Sequence, residues 1–128
     1  MKLINNYGSL VGRILISVMF LMAGISKITG YAGTQGYMEA MGVPGALLPL
    51  VIALEVFGAL AIIIGYKTKL VAFLLAGFSI VSALIFHNNF ADQMQVALFM
   101  KNIAIAGGFM FLMVNGAGPL SIDNKLNK

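Results

Sequence analysis

Four long apolar runs alternate with short polar breaks along this chain. Each run has the length that a helix rising about 1.5 Å per residue needs to cross most of a bilayer core. They predict membrane spans at about 10–27, 45–64, 69–87 and 96–115. The break "GYKTK", residues 65–69, predicts a tight turn in which Gly65 stops one helix and two lysines sit at the membrane surface. The longer break "GYAGTQGYMEAMGVP" predicts a short interfacial helix, capped by Thr34 and stopped at Gly42 before Pro44 restarts the chain. Tyr31 and Tyr37 suit the headgroup level, and Met38 and Met41 are placed to dip into the acyl boundary. The expected fold is all-α: a single domain over 1–128, an integral membrane four-helix bundle with a short interfacial helix between the first two spans. No internal repeat emerges, because "LMAGIS" and "LLAGFS" are alike but their flanking charges do not align.

Within the runs the small and polar residues fall on single helical faces. Arg13, Ser17, Phe20, Gly24 and Lys27 form one such stripe, and Ala76, Ser79, Ala83 and His87 another. The second span offers Glu55 with Gly58 and Ala59, and the fourth Lys101, Ala104, Gly108 and Asn115. These faces are expected to meet inside the bundle. Counting residues along alternating helices gathers Lys27, Glu55, His87, Lys101 and Asn102 at one end, with Glu55 about 12 to 15 Å below that surface. Arg13, about 21 Å from Lys27 along its helix, belongs to the other end and is expected to serve as an orientation anchor.

A charge near the middle of a membrane helix costs at least about 2.5 kcal/mol, so it is normally paired or faces water. Glu55 therefore calls for a cation, with Lys101 the first expected partner and Lys27 the second. Each of these residues also has a structural reading. The ion pair can simply fix helix register, Lys27 can snorkel, and His87 can satisfy a helix end. Asn88, Asn89 and Asp92 are expected to form only an exposed turn.

Composition sharpens this picture. With 60% hydrophobic and 9% charged residues and a mean hydropathy of +0.97, the chain is a membrane protein whose first partner is the lipid bilayer. The net charge of +4 is spread along the chain without the clustered basic face that nucleic acid would need, so no nucleic-acid partner is expected. Its use is orientation. Lys2, Arg13, Lys67, Lys69, Lys125 and Lys128 share the side of the termini against Lys27 and Lys101 opposite, which predicts that both termini are cytoplasmic. The first span is expected to be kept and not cleaved as a signal peptide, since Arg13 falls inside it and "MAGISK" is a poor cleavage site. The absence of cysteine excludes disulfides, iron–sulfur clusters and thiolate metal sites within this chain, and one histidine is too few for a two-histidine haem. No metal site and no intrinsic cofactor are expected.

The segments "GRILISVMFLMAGISKITGY", "YMEAMGVP", "LEVFGALAIIIGYKTKLVAFLLAGF", "FH", "FMKNIAIAGG" and "GAGPLSID", in this order, resemble the DoxX family of small four-helix bacterial membrane proteins across nearly the whole chain. The positions that match family positions are Arg13, Gly24, Lys27, Glu55, Gly58, His87, Lys101 and Asn102. The second span departs slightly, with "EVFGA" where a double glycine is common, which affects helix packing but leaves Glu55 in place. The resemblance implies location in the bacterial inner membrane and a role linked to oxidoreductases, quinones and oxidative stress.

Two functions follow. In the first, the chain is a redox accessory protein that binds a quinone-like ligand in the outer-half pocket, where Lys27, His87, Lys101 or Asn102 donate to the ligand and Glu55 or His87 relays protons. Electrons then come from a redox partner protein, because no residue set here holds a flavin, haem or cluster, and catalysis by this chain alone is not expected. In the second, the chain is nonenzymatic: an assembly subunit, a homo-oligomer, or a binder or transporter of a small apolar molecule.

Overall fold

In the computed structural model, residues 2–126 are described. The first span is one long helix, α1 (Lys2–Thr29). A ten-residue helix, α2 (Tyr31–Ala40), and a single tight helical turn over 45–47 lead into α3 (Leu48–Ile64). Then follow α4 (Thr68–Phe86), α5 (Gln93–Asn115) and a short terminal helix, α6 (Ile122–Leu126). Four helical segments, Asn6–Thr29, Gly45–Ile64, Thr68–Phe86 and Gln93–Asn115, are long and apolar enough to cross a membrane. Their alternating directions give the bundle a terminal end, with α6 and the turn between α3 and α4, and a pocket end, with α2 and the connection between α4 and α5. Lys128 and the side chain of Lys2, both counted in the charge asymmetry, lie outside what is described.

The helices associate as two pairs. α1 packs along α3 and α4 along α5, while α3 and α4 meet over a smaller area. Small residues make these approaches close: Gly24 lies against Val56 and the Cβ of Glu55, so that any side chain there would collide with α3. Where the pairs meet, Phe20, Ala59, Ile62, Ala72, Leu75, Ala76, Ala106 and Phe109 form a buried cluster. Phe20 sits 5.5 Å from Phe109 and 6.4 Å from Phe78, ring centroid to centroid, in tilted and edge-on arrangements. These rings fill the middle of the bundle and separate its two polar ends.

The terminal end is locked by a buried cation. Arg13 is fully enclosed, and its guanidinium donates to the carbonyls of Ile62 at 3.1 Å, Ile63 at 2.9 Å, and Leu120. Arg13 lies at the terminal end and turns inward with the rest of its stripe, because the end of α3 presents a negative dipole end and the carbonyls of Ile63 and Leu120 offer it free acceptor positions. Gly65 makes room for it. The residue adopts φ 74°, and a Cβ there would strike Ser121 and the Arg13 guanidinium. Asp123 completes the clasp by accepting from the N–H groups of Lys67 at 2.7 Å and Thr68 at 2.8 Å, at the start of α4. Burial opposes its charge, but the hydrogen bonds from Thr68 and Lys67 and the nearby Arg13 outweigh that and hold its carboxyl below the usual carboxylate range.

Two boundaries differ from the sequence reading. Thr34 is not the cap of α2, which starts a turn earlier at Tyr31, and its hydroxyl donates instead to the Gly30 carbonyl at 3.0 Å inside the helix. The fourth spanning helix begins at Gln93, three residues ahead of the expected 96, because Asp92 caps it by accepting from the Met94 N–H at 3.0 Å. Asp92 thus shapes the helix instead of merely lying in a turn. Met38, expected at the acyl boundary, is buried within the protein.

Candidate functional site

At the pocket end, α1 brings Lys27 to Glu55 on α3. The lysine ammonium lies 2.8 Å from Oε1 and donates to Oε2 at 3.2 Å, so both carboxylate oxygens face it. The carboxylate is 3% exposed, whereas the lysine side chain retains 28% exposure and reaches toward the bundle's end. Lys27, the second expected partner, therefore takes the place assigned first to Lys101. The reason lies in the pairing of helices: Gly24 lets α1 approach α3 closely, and Lys27 follows one turn later on the same face. Lys101 on α5 stays exposed across the gap.

The ion pair forms part of the wall of two cavities. The smaller, about 160 Å³, is bordered by Lys27, Glu55, His87, Lys101 and Asn102, together with Ser79 and Ser82. All five residues expected at this end are thus brought around one void, while Arg13 stands at the opposite end of the bundle. The larger cavity, about 380 Å³, opens between α2, α3 and α4. It shares Lys27, Glu55, Phe78, Ser82 and His87 with the smaller one, but its remaining wall is mostly apolar. Tyr37 of α2 stacks on Phe86 of α4 at 5.3 Å with planes 28° apart, and both line this cleft.

Hydrogen bonds fix part of this lining. The Ser79 hydroxyl donates to the Leu75 carbonyl at 2.8 Å and so is committed to its own helix. His87 Nδ1 lies 3.1 Å from Gln95 Oε1, which turns the ring's other nitrogen away from that contact. Asn88 bonds to the Leu84 carbonyl and Asn89 to the Ala91 N–H, both in the exposed turn and away from either cavity. Sequence reasoning missed Ser82, Gln95 and the contributions of Tyr37 and Met38. Ser82 lies three residues after Ser79, a spacing that could have flagged it; Gln95 and Tyr37 carry no such local signal. Chemically, the site offers a buried anion paired with a partly exposed cation, and an apolar slot open to one side. Among the described residues there is no group of three or more His, Asp or Glu placed to hold a metal ion.

Comparison with known proteins agrees with this architecture. Residues 8–88 match the DoxX family, a stretch that holds Lys27, Glu55 and His87 and stops short of Lys101 and Asn102. Inner membrane protein YqjF of Escherichia coli (strain K12) is 54% identical over 128 residues, covering 100% of this chain and 98% of that protein. Inner membrane protein YphA of the same organism is 32% identical over 123 residues, covering 91% of this chain and 88% of its own. A Bacillus subtilis (strain 168) protein named "Putative oxidoreductase CatD" is 29% identical over 69 residues, covering 54% of this chain and 52% of its own. No solved structure matches the chain significantly.

Proposed function

This chain belongs to the DoxX family and is a multi-pass inner membrane protein, and from that premise we propose that it is a redox accessory protein whose pocket end binds a quinone-like ligand. One observation carries the reading: Glu55, almost wholly buried, is held by Lys27 on the wall shared by a polar void and an apolar cleft. A buried carboxylate is an expensive way to fix a helix, and in a membrane it is typical of ligand sites and proton relays. The apolar wall of the cleft, with Phe78 and the stacked pair of Tyr37 and Phe86, suits a flat ring, and Lys27, Glu55 and His87 supply the groups that hold and move protons at ring oxygens. The relative named as an oxidoreductase points the same way. The electrons come from a partner protein, because cysteine is absent and the chain has a single histidine. Carriage of the ligand across the bilayer is disfavoured as the alternative, since Phe20, Phe78 and Phe109 fill the path between the two ends.

The test is purification of the full chain in mild detergent with its native lipids, followed by extraction and mass spectrometry. A quinone is expected to co-purify with the parent and to be depleted several-fold from Glu55→Gln at equal protein recovery. Equal amounts in both samples, or none in the parent, overturn the reading.

The same premise supports cytoplasmic termini, with Arg13, Lys67, Lys69 and Lys125 on the terminal side and Lys27 and Lys101 on the other. A fluorescent protein fused to the carboxyl end is expected to light up in the cytoplasm. Activity of a periplasm-dependent reporter at that position reverses the orientation.

A further inference from the structure

We infer that the terminal end carries a binding site for the phosphate headgroup of an anionic phospholipid, held by Lys67 and Lys69 in a groove between the start of α4, the end of α5 and α6. The site lies across the bundle from the pocket proposed above and does not depend on it.

The groove has a volume of about 670 Å³. Its wall joins the turn before α4, the end of α5 and the tail that folds back, through Lys67, Lys69, Asn115, Gly116, Ser121 and Asn124. Three of these side chains are already engaged inside the protein. Asn115 donates to the Phe111 carbonyl at 3.0 Å, Ser121 to Gly118 at 2.8 Å and Asn124 to Pro119 at 2.9 Å. The two lysines are not engaged in this way. Among the described residues neither ammonium has an ion pair, and the Lys67 ammonium lies 5.7 Å from the centre of the exposed Tyr66 ring, a contact that leaves its charge in place. Lys69 reaches from α4 to the end of α5. Its Cε stands 3.4 Å from where a Cβ on Gly116 would lie, so the lysine stem rests where that residue has no side chain.

Charge selects an anion. Asp123 is the one acid on the wall, but it accepts from the N–H groups of Lys67 and Thr68 and faces Arg13, so its charge is committed to the clasp. Two exposed ammonium groups remain, compact charges that suit phosphate oxygens. Position selects a lipid. Leu70 and Leu126 border the groove and are 56% and 69% exposed, and Leu70 belongs to the spanning segment Thr68–Phe86, so that lip meets acyl chains. Tyrosine and lysine beside a span are residues of the headgroup level. A basic wall next to an apolar lip at that level fits an amphiphile with an anionic head. A zwitterionic head is the poorer ligand, because its own cation would face Lys67 and Lys69.

The experiment uses the full chain, delipidated in a neutral detergent and given equal amounts of phosphatidylglycerol and phosphatidylcholine with the same acyl chains. Native mass spectrometry reads the lipid-bound protein. The parent is expected to hold phosphatidylglycerol roughly tenfold over phosphatidylcholine, between the factors that one and two cations at a membrane surface contribute. Lys67→Gln combined with Lys69→Gln should bring the ratio close to parity. Both positions are exposed, and glutamine meets the left-handed backbone at Lys67, φ 48°, on the same terms as lysine, so the thermal midpoint without lipid should stay at the parent's value. If the double variant does not fold, Lys69→Gln alone, expected to lower the ratio several-fold, carries the comparison. Lys125→Gln removes a cation from the same end but outside the groove and should keep the ratio within about twofold. A parent ratio near parity, or an undiminished ratio in the groove variants, overturns the inference. So does an equal loss in Lys125→Gln and Lys69→Gln, which means diffuse attraction and no site. If excess glycerol 3-phosphate displaces the bound lipid as well as short-chain phosphatidylglycerol does, the ligand is a soluble phosphate and the lipid assignment falls.

Discussion

Arg13→Ala is expected to remove most of the folded protein. Two carbonyls, those of Ile63 and Leu120, lose their donor at once, that of Ile62 keeps only the Gly65 N–H, and Arg13 is completely enclosed, so water has no ready access to replace it. Each buried carbonyl left without a partner costs about 1 kcal/mol or more, which sums to about 2 kcal/mol and roughly thirtyfold in the folded-to-unfolded ratio. Arg13→Lys should recover little, because a single ammonium lacks the planar fork that spans the end of α3 and the segment before α6. Lys69→Ala, at an exposed position of the same end, is the control and should behave like the parent. The readout is the monodisperse fraction in detergent together with the thermal midpoint at equal expression. If Arg13→Ala melts with the parent, the clasp is dispensable and the carbonyls have found other donors.

Reversing the charge of Glu55 should be as severe, and its repair should be specific. Glu55→Lys places two ammonium groups where one ion pair stood at 2.8 Å, in surroundings that exclude water from the carboxylate side. Leaving a buried charge uncompensated costs about 3 to 5 kcal/mol, and a like charge beside it adds to that. Glu55→Gln should be milder, since Lys27 keeps enough exposure to turn outward. The double variant Lys27→Glu, Glu55→Lys should restore part of the loss, whereas Lys101→Glu with Glu55→Lys should restore clearly less. Measured as folded yield and thermal midpoint, the difference between the two double variants is the coupling that belongs to the Lys27 contact. Equal rescue by both would mean that Glu55 samples either lysine.

Much of this molecule is legible in its sequence for a simple reason. A bilayer demands helices whose backbones satisfy themselves, so the length and polarity of each run dictate a span without knowledge of its neighbours. Periodicity then says which face turns inward for the first three spans; on the fourth, Lys101, Ala104 and Asn115 of the expected stripe lie exposed, and Ala106 and Phe109 face the core instead, because the few small and polar positions there do not mark the side that packs on the aromatic cluster. The stripe Arg13, Ser17, Phe20 and Gly24 is buried at every position, and the five polar residues placed at one end by counting do surround one void. The start of the fourth helix was also legible, in Asp92 as a cap; a reading that waits for the first apolar residue passes over it.

What a periodic pattern leaves open is which neighbour stands opposite an inward face, and the tertiary structure decided that. Lys27 and Lys101 both lie at the correct depth, but only α1 packs directly along α3, because Gly24 removes the side chain that would hold the two helices apart. Arg13 likewise reads as a cation at a membrane edge until the carbonyls of Ile62, Ile63 and Leu120 surround it, and Leu120 is 107 residues away along the chain. Asp123 gains its role at the start of α4 from the same folding back of the tail. The sequence by itself determined the spans, the inward faces of the first three and the end at which polar groups collect, since these follow from local length, polarity and pitch. The tertiary structure determined which charges meet, since that depends on close approach between helices far apart in the chain.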